Sequence, residues 1–523
     1  QYFAVKEKCK GFLLFFRLGD FYEMFFDDAL LASRVLELTL TGRDCGLDER
    51  APMCGIPYHA CEIYIKKLID AGYKVAICEQ LTDPKDAKGG IVERDIVRIV
   101  TPGTVTESNM LDESKNNYIA AIYALDKRCA LCFADISTGE VHLFDKTSKN
   151  LEAEVVNELV RFEPVEILFN EKFLDYKNVQ EFIRTKMNVS VQLLDDEEFD
   201  ISSKKDIVLK QFNVDDLDEI SLHEGTPEAD CVCGLFGYIY NTQKTLVGRF
   251  TEIKRYNDNF FMELDYTARR NLELTETMRS KEKKGSLLWV LDHTNTSMGK
   301  RLLKSYIEQP LVKLAIITNR LDAVEQLCRK SVLRQQLSDA LSKVYDIERL
   351  MTRIMYKTAT PRDVKSLSLT ALQLPEIKKI LGEFSSKLLT ELNSKIDTLE
   401  DISGLVERAI VDEPPITAKE GGVIKDGFNA ELDNLRHIIS GGKDIIDEIE
   451  QRERDKTGIK NLKIGYNRVF GYYIEVTKSY YDLVPDTYIR KQTLANCERF
   501  ITEELKKYEN EILGANEKVL SLE

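Results

Sequence analysis

The sequence has no run of 18 or more apolar residues, which excludes a conventional membrane-spanning helix. It has neither an initial Met nor a charged-then-apolar leader pattern. No signal peptide is therefore expected, and Gln1 reads as the start of a trimmed or fragmentary chain. It has no G-x-x-x-x-G-K-[ST]. The nearest approach, Gly441-Gly442-Lys443, is followed by Asp444 inside a helical pattern, so these residues supply no phosphate-cradling loop of that kind. Histidine is scarce. The five, at 59, 142, 223, 293 and 437, show no metal-ligand spacing, and His59 reads as structural. The 11 cysteines, an odd number spread from Cys9 to Cys497, argue against a disulfide framework and for a reducing compartment. Cys129 and Cys132 form a C-x-x-C without a second ligand pair, and read as small apolar residues of a strand rather than a zinc site. Basic excess is also missing. A formal net charge of −15 excludes a protein that coats itself in nucleic acid through bulk charge, and leaves room for a local basic face. There is no internal repeat and no low-complexity tract.

What is present is 523 residues, 43% hydrophobic and 31% charged. That is enough for about three to five domains, each with its own core. Up to about residue 105, strand and helix signals alternate. FLLFFRLGDFYEMFF reads as strands broken at Gly19-Asp20, DDALLASRVLELTL and HACEIYIKKLIDAG as helices, and YKVAICEQL and RDIVRIVTPGT as strands. From Asn117, three strand-like runs with tight turns predict an antiparallel meander, followed by a helix (LEAEVVNELVRF), a strand (VEILF) and a helix near Pro227–Gly237. From Tyr266 to about Ala409 apolar residues recur at helical spacing, RRNLELTETM among them. A Pro/Gly-rich loop leads to a long charged helix, NAELDNLRHIISGGKDIIDEIEQRERDKTG, weakened at Gly441-Gly442. A compact β segment, LKIGYNRVFGYYIEVTK, follows, with hairpin signals at Asn467-Arg468 and Phe470-Gly471. A last helix is expected from near Thr493 to the end. The fold class is multi-domain α/β plus mainly α.

Within the aromatic run, Phe21 and Glu23 share one face of a strand and Tyr22 points to the other. A Phe at a minor groove can wedge into a base step and kink the duplex, and a mispaired step yields more readily. Glu23 could then hydrogen-bond the displaced base. Alone, a Phe-x-Glu is usually one core ring and one solvated acid.

The run LLFFRLGDFYEMFFDDAL resembles the first domain of the MutS family. APMCGIPYHA, VAICEQLTDPKDAKGGIVERDIVRIVTPGTV, RRNLELTETMRSKEKKGSLLWVLDHTNTSMGKRLLKSYIEQPL, IGYNRVFGYYIEVTKSY and YIRKQTLANCERFITEELKKYE follow in family order. The resemblance covers nearly the whole chain. It implies a small mixed α/β mismatch-binding domain (1–108), an RNase H-like connector (115–248), a long-helix core and lever (249–427 and 498–523) and an inserted β-containing clamp (428–497). The family's C-terminal ATPase domain is expected to be absent. Phe21 corresponds to the intercalating ring and Glu23 to the carboxylate on the mispaired base. Leu18, Met53 and Gly55 fall where the family approaches the minor groove. Phe12, Phe15, Phe16, Phe25 and Phe26 read as core.

Between Lys456 and Arg499 there are eight basic residues against four acidic, interleaved with tyrosines, whereas residues 1–105 carry 14 basic against 16 acidic. Local positive charge suits phosphate contacts, which position without reading sequence. The clamp candidates are Lys463, Asn467, Arg468, Arg490 and Lys491. No catalytic or metal-binding residue and no cofactor is expected in this chain. The resemblance assigns ATP and Mg²⁺, homodimerisation and switching to a sliding clamp to the full-length protein, with mismatched double-stranded DNA and a MutL-type protein as partners and a bacterial, cytoplasmic, nucleoid-associated setting. Asp135, with Asp126 and Glu140 nearby, is a weak nuclease candidate. The main alternative is a scaffold that binds branched DNA or proteins without reading mismatches.

Overall fold

The computed structural model describes residues 1–46, 49–82, 92–246, 248–255, 260–467 and 471–523, without the side chains of 442–444. They form two compact units, residues 1–358 with 373–397, and residues 359–372 with 398–523.

The first unit opens with a six-stranded sheet. Its strands are β1 (Leu13–Leu18), β2 (Phe21–Phe25), β3 (Thr41–Arg43), β4 (Ala51–Pro57), β5 (Val75–Gln80) and β6 (Arg94–Val100), in the order β3-β4-β2-β1-β5-β6. Leu18 lies opposite Phe21, so Gly19-Asp20 is a two-residue hairpin loop. Gly19 supplies the positive φ (+58°) such a turn requires at its first position. Alternation then sorts the aromatics. Tyr22 and Met24 join Phe15, Cys54 and Ile56 in a core with helices α2 (Phe26–Leu36) and α3 (Cys61–Asp70). Phe16 and Phe25 pack on the opposite face against α1 (Tyr2–Glu7).

The second sheet begins with the expected antiparallel meander of β7 (Ile119–Ala124), β8 (Cys129–Asp135) and β9 (Glu140–Lys146). β10 (Glu166–Phe169) runs parallel to β7, β11 (Ser190–Leu193) parallel to β10, and β12 (Lys254–Arg255) parallel to β9. One face packs on α4 (Leu151–Phe162), the other on α5 (Pro227–Gln243). All of β8 is buried, as a strand covered on both faces must be. Cys129 belongs to the α4 side and Cys132 to the α5 side, so the C-x-x-C is split across the sheet.

Helices from Leu287–Leu291 through Ile347–Met355, with Leu374–Leu381 and Lys387–Lys395, complete this unit. The expected helix through RRNLELTETM stops early. Tyr266–Asn271 is helical, and Glu273 then takes a left-handed φ of +47°. The chain folds back so that Leu288 N–H donates to the carbonyl of Leu274. Tertiary pairing overrides the local apolar spacing here.

In the second unit, helices Pro361–Ala371 and Glu400–Ala409 pack together. The charged helix α6 (Ala430–Thr457) runs unbroken through Gly441-Gly442, against the expected weak point. Its packing against α7 (Glu503–Leu522), with Leu432, Ile446 and Ile449 buried on α6 and Leu505, Ile512 and Val519 on α7, outweighs a glycine cost of about 1 kcal/mol each. Between them lies an antiparallel sheet of β13 (Lys463–Asn467), β14 (Gly471–Thr477), β15 (Ile489–Thr493) and β16 (Cys497–Ile501), ordered β13-β14-β16-β15. The last helix therefore does not start near Thr493. Residues 497–501 pair with both β14 and β15, and Thr502 caps α7 by accepting from Leu505 N–H.

Candidate functional site

The β1–β2 hairpin presents one ring to solvent. Among the aromatics of residues 12–26, Phe21 alone is exposed, at 48%, while Phe15, Phe16, Tyr22 and Phe25 are buried and Phe12 and Phe26 half-buried. Register places the neighbours. Leu18 and Pro57 flank Phe21, Gly55 lies opposite Glu23, and Met53 lies opposite Phe25. Directly paired residues share a face of the sheet. The structure thus gathers Phe21, Glu23, Leu18, Met53 and Gly55 on one face, with the Cα atoms of Phe21 and Glu23 about 7 Å apart along the strand.

The hairpin is braced from the other side. The Tyr22 hydroxyl donates to Glu79, and burial together with that acid pushes its pKa far above the ordinary range, so it stays a neutral donor. Arg17 lies 3.6 Å from Glu79 and stacks 3.5 Å from the centroid of the Tyr58 ring. The Glu23 carboxylate is met through Oε2 by the Arg43 guanidinium. Among the described residues its Oε1 takes no hydrogen bond. The face therefore offers an exposed ring beside an anchored carboxylate with one open acceptor. Sequence reasoning missed Arg43. It lies on a three-residue strand whose pairing with β4 leaves no periodic signal.

The basic candidates of the second unit do not form one cluster. Lys463 and Asn467 lie on edge strand β13, and Arg490 and Lys491 on the opposite edge strand β15, about 14 Å away across three strand spacings. Arg468 lies outside the described residues. Lys463, Arg490 and Lys491 are exposed, and Arg490 pairs with Glu498 at 3.2 Å. A register shift between Arg490 and Gln492 makes Lys491 the extra residue of a bulge, a device that re-aims a side chain. Asp135 is committed to local structure. Its carboxylate accepts from Asn116 Nδ2 (2.9 Å), Asn117 N (3.1 Å), Ser137 N (2.9 Å) and Ser137 Oγ (2.7 Å). Asp126 instead pairs with Lys172, and Glu140 with Lys254. Among the described residues no three His, Cys, Asp or Glu side chains are grouped to hold a metal, and no helix is long and apolar enough to cross a membrane.

Two α/β sheets, a helical array and a β sheet carried between two long helices define a modular, multi-domain protein with an exposed aromatic ring on the same sheet face as an ion-paired carboxylate. The chain belongs to the MutS family. MutS domain I matches residues 1–109, MutS domain II residues 117–254 and MutS domain III residues 267–519. Its whole length aligns with the DNA mismatch repair protein MutS of Ruminiclostridium cellulolyticum at 49% identity over 523 residues, 60% of that protein. With those of Acetivibrio thermocellus and Clostridium tetani, identity is 49% and 50% over 525 residues, all of this chain and 60% and 58% of theirs. The chain thus spans about 60% of the length of these curated relatives.

Proposed function

We propose that this chain recognises base–base mismatches and small insertion or deletion loops in duplex DNA, the first step of mismatch repair. The observation that carries the proposal is the solvent exposure of Phe21 on the same sheet face as Glu23. A ring held on a braced hairpin enters the minor groove and unstacks a base step at a cost of a few kcal/mol, less where pairing is already lost. Glu23 then accepts a hydrogen bond from an N–H of the displaced base, with Leu18, Met53 and Gly55 lining the groove. Lys463, Asn467, Arg468, Arg490 and Lys491 hold phosphates, which orients the duplex without reading it.

In this reading residues 1–108 are the mismatch-binding domain, 115–248 the connector, 249–427 with 498–523 the core and lever, and 428–497 the clamp. The meander extended by parallel strands supports an RNase H-like connector. The pairing of β16 with both β14 and β15 supports a clamp sheet that continues to Ile501. The sequence carries no G-x-x-x-x-G-K-[ST] that would cradle ATP phosphates. Gly441-Gly442-Lys443 lies in a continuous helix, not in a strand-to-helix loop. Nucleotide switching, homodimerisation and a MutL-type partner belong in this proposal to the longer family protein.

The test is fluorescence anisotropy at fixed ionic strength on a G·T mismatch, an unpaired T and a perfect duplex. Phe21→Ala should equalise the three while leaving weak, salt-sensitive binding. A variant that keeps the wild-type preference would rule out the wedge. A wild type that binds all three alike would favour a non-reading scaffold.

A further inference from the structure

Glu23 is not held by its own strand. Its partner, Arg43, lies two strands away, since β4 separates β3 from β2. The guanidinium reaches across β4 on the face where Gly55 sits opposite Glu23. Gly55 needs no unusual backbone, and a Cβ there would make ordinary contacts with the Tyr22 carbonyl oxygen at 3.5 Å and Glu23 Cγ at 3.6 Å. The Glu23 side chain is 17% exposed and that of Arg43 45%, so the acid is the inner member and the cation the outer one. A carboxylate offers about four acceptor positions, and the guanidinium on Oε2 leaves Oε1 available. An unpaired acid facing DNA would also be repelled by the phosphates, and a guanidinium beside it cancels that charge where it matters.

We propose that Arg43 is the positioning residue of the mismatch-reading pair. It fixes the Glu23 carboxylate by one oxygen, leaves the other for an N–H of the displaced base, and neutralises the acid against the backbone. The inference rests on the mismatch reading above. It makes Arg43 a determinant of selectivity that acts through Glu23 and not only a cation near DNA.

The test is a double-mutant cycle with Arg43→Gln and Glu23→Gln, singly and together. Affinities for the G·T and perfect duplexes are read at two salt concentrations. The expected result is that Arg43→Gln lowers the mismatch-to-perfect ratio about fivefold when Glu23 is present, the order of an exposed ion pair. In the Glu23→Gln background it should leave the ratio unchanged. Arg43→Lys, which keeps the charge without the planar fork, should fall between the two. An equal loss on both duplexes in both backgrounds would overturn the proposal and make Arg43 a phosphate contact alone. An unchanged ratio would overturn it as well. A wild type without mismatch preference would instead remove the underlying reading, and this inference with it.

Discussion

Replacing Glu166 by Leu should loosen the junction between the first two sheets. Glu166 lies on β10 with a fully buried side chain. Its Oε1 accepts from Lys74 Nζ and from the Tyr238 hydroxyl, both at 2.7 Å. Its Oε2 accepts from the Thr101 hydroxyl at 2.5 Å and from Gly103 N–H at 3.1 Å. Lys74 comes from the first domain, Thr101 and Gly103 from the connection, and Tyr238 from α5, so one carboxylate ties three segments. Burial and the neighbouring Glu166 push the Tyr238 pKa far up, which keeps that hydroxyl a donor. Breaking a buried ion pair from one side costs about 3–5 kcal/mol. Lys74 retains some solvent, with its side chain 12% exposed, so the low end applies, roughly 3 kcal/mol. At about 1.4 kcal/mol per factor of ten, local opening should rise by roughly two powers of ten. Native-state hydrogen exchange read by mass spectrometry on peptides spanning 94–106 and 164–170 measures it. Adding Lys74→Met should recover part of the loss, because no charge is then left buried alone. The reasoning is refuted if exchange in those peptides stays within about threefold of wild type, or if the loss spreads evenly to α6.

Two further outcomes follow from the same physics. Burial pushes the thiols of Cys54 and Cys61 up to about 11 and those of Cys78 and Cys233 up to about 12, so iodoacetamide at neutral pH should label exposed Cys45 and Cys328 first. Equally fast labelling of these four would contradict the packing. Burial alone would raise Asp346, Glu107 and Asp292. Their bonds to Arg301, Arg98, and Lys283 with Thr294 outweigh it and hold all three low, Asp292 at about 2. Folded carboxylates held low stabilise above the unfolded pKa of about 4 and lose that stabilisation as pH falls toward the folded value. The melting temperature should therefore drop between about pH 5 and pH 2, and Asp292→Asn should cost stability at pH 7 but little at pH 2. A flat profile across that window would contradict these pairings.

The face that carries Phe21 and Glu23 was largely legible in the sequence because it depends on local rules. Gly19-Asp20 sets the turn, and alternation along β2 puts Phe21 and Glu23 on one face and Tyr22 in the core. What was not legible depends on partners distant in the chain. Residues 497–501 carry spacing that suits a helix, yet two neighbouring strands claim them. Gly441-Gly442 looks like a break until α7 packs along the helix. The basic residues near the β tip read as one patch in the sequence, whereas strand order sends them to opposite edges. Arg43 was invisible as the partner of Glu23 because only the order β3-β4-β2 brings them together.

The central claim is that Phe21 wedges into a weakened base step, and 2-aminopurine placed beside a G·T mismatch or an unpaired T tests it most directly. Its emission rises when the base is unstacked. The account expects a rise when the wild-type chain binds the mismatched duplex, and none with Phe21→Ala at saturating protein or with a perfect duplex. An equal rise with Phe21→Ala would contradict it.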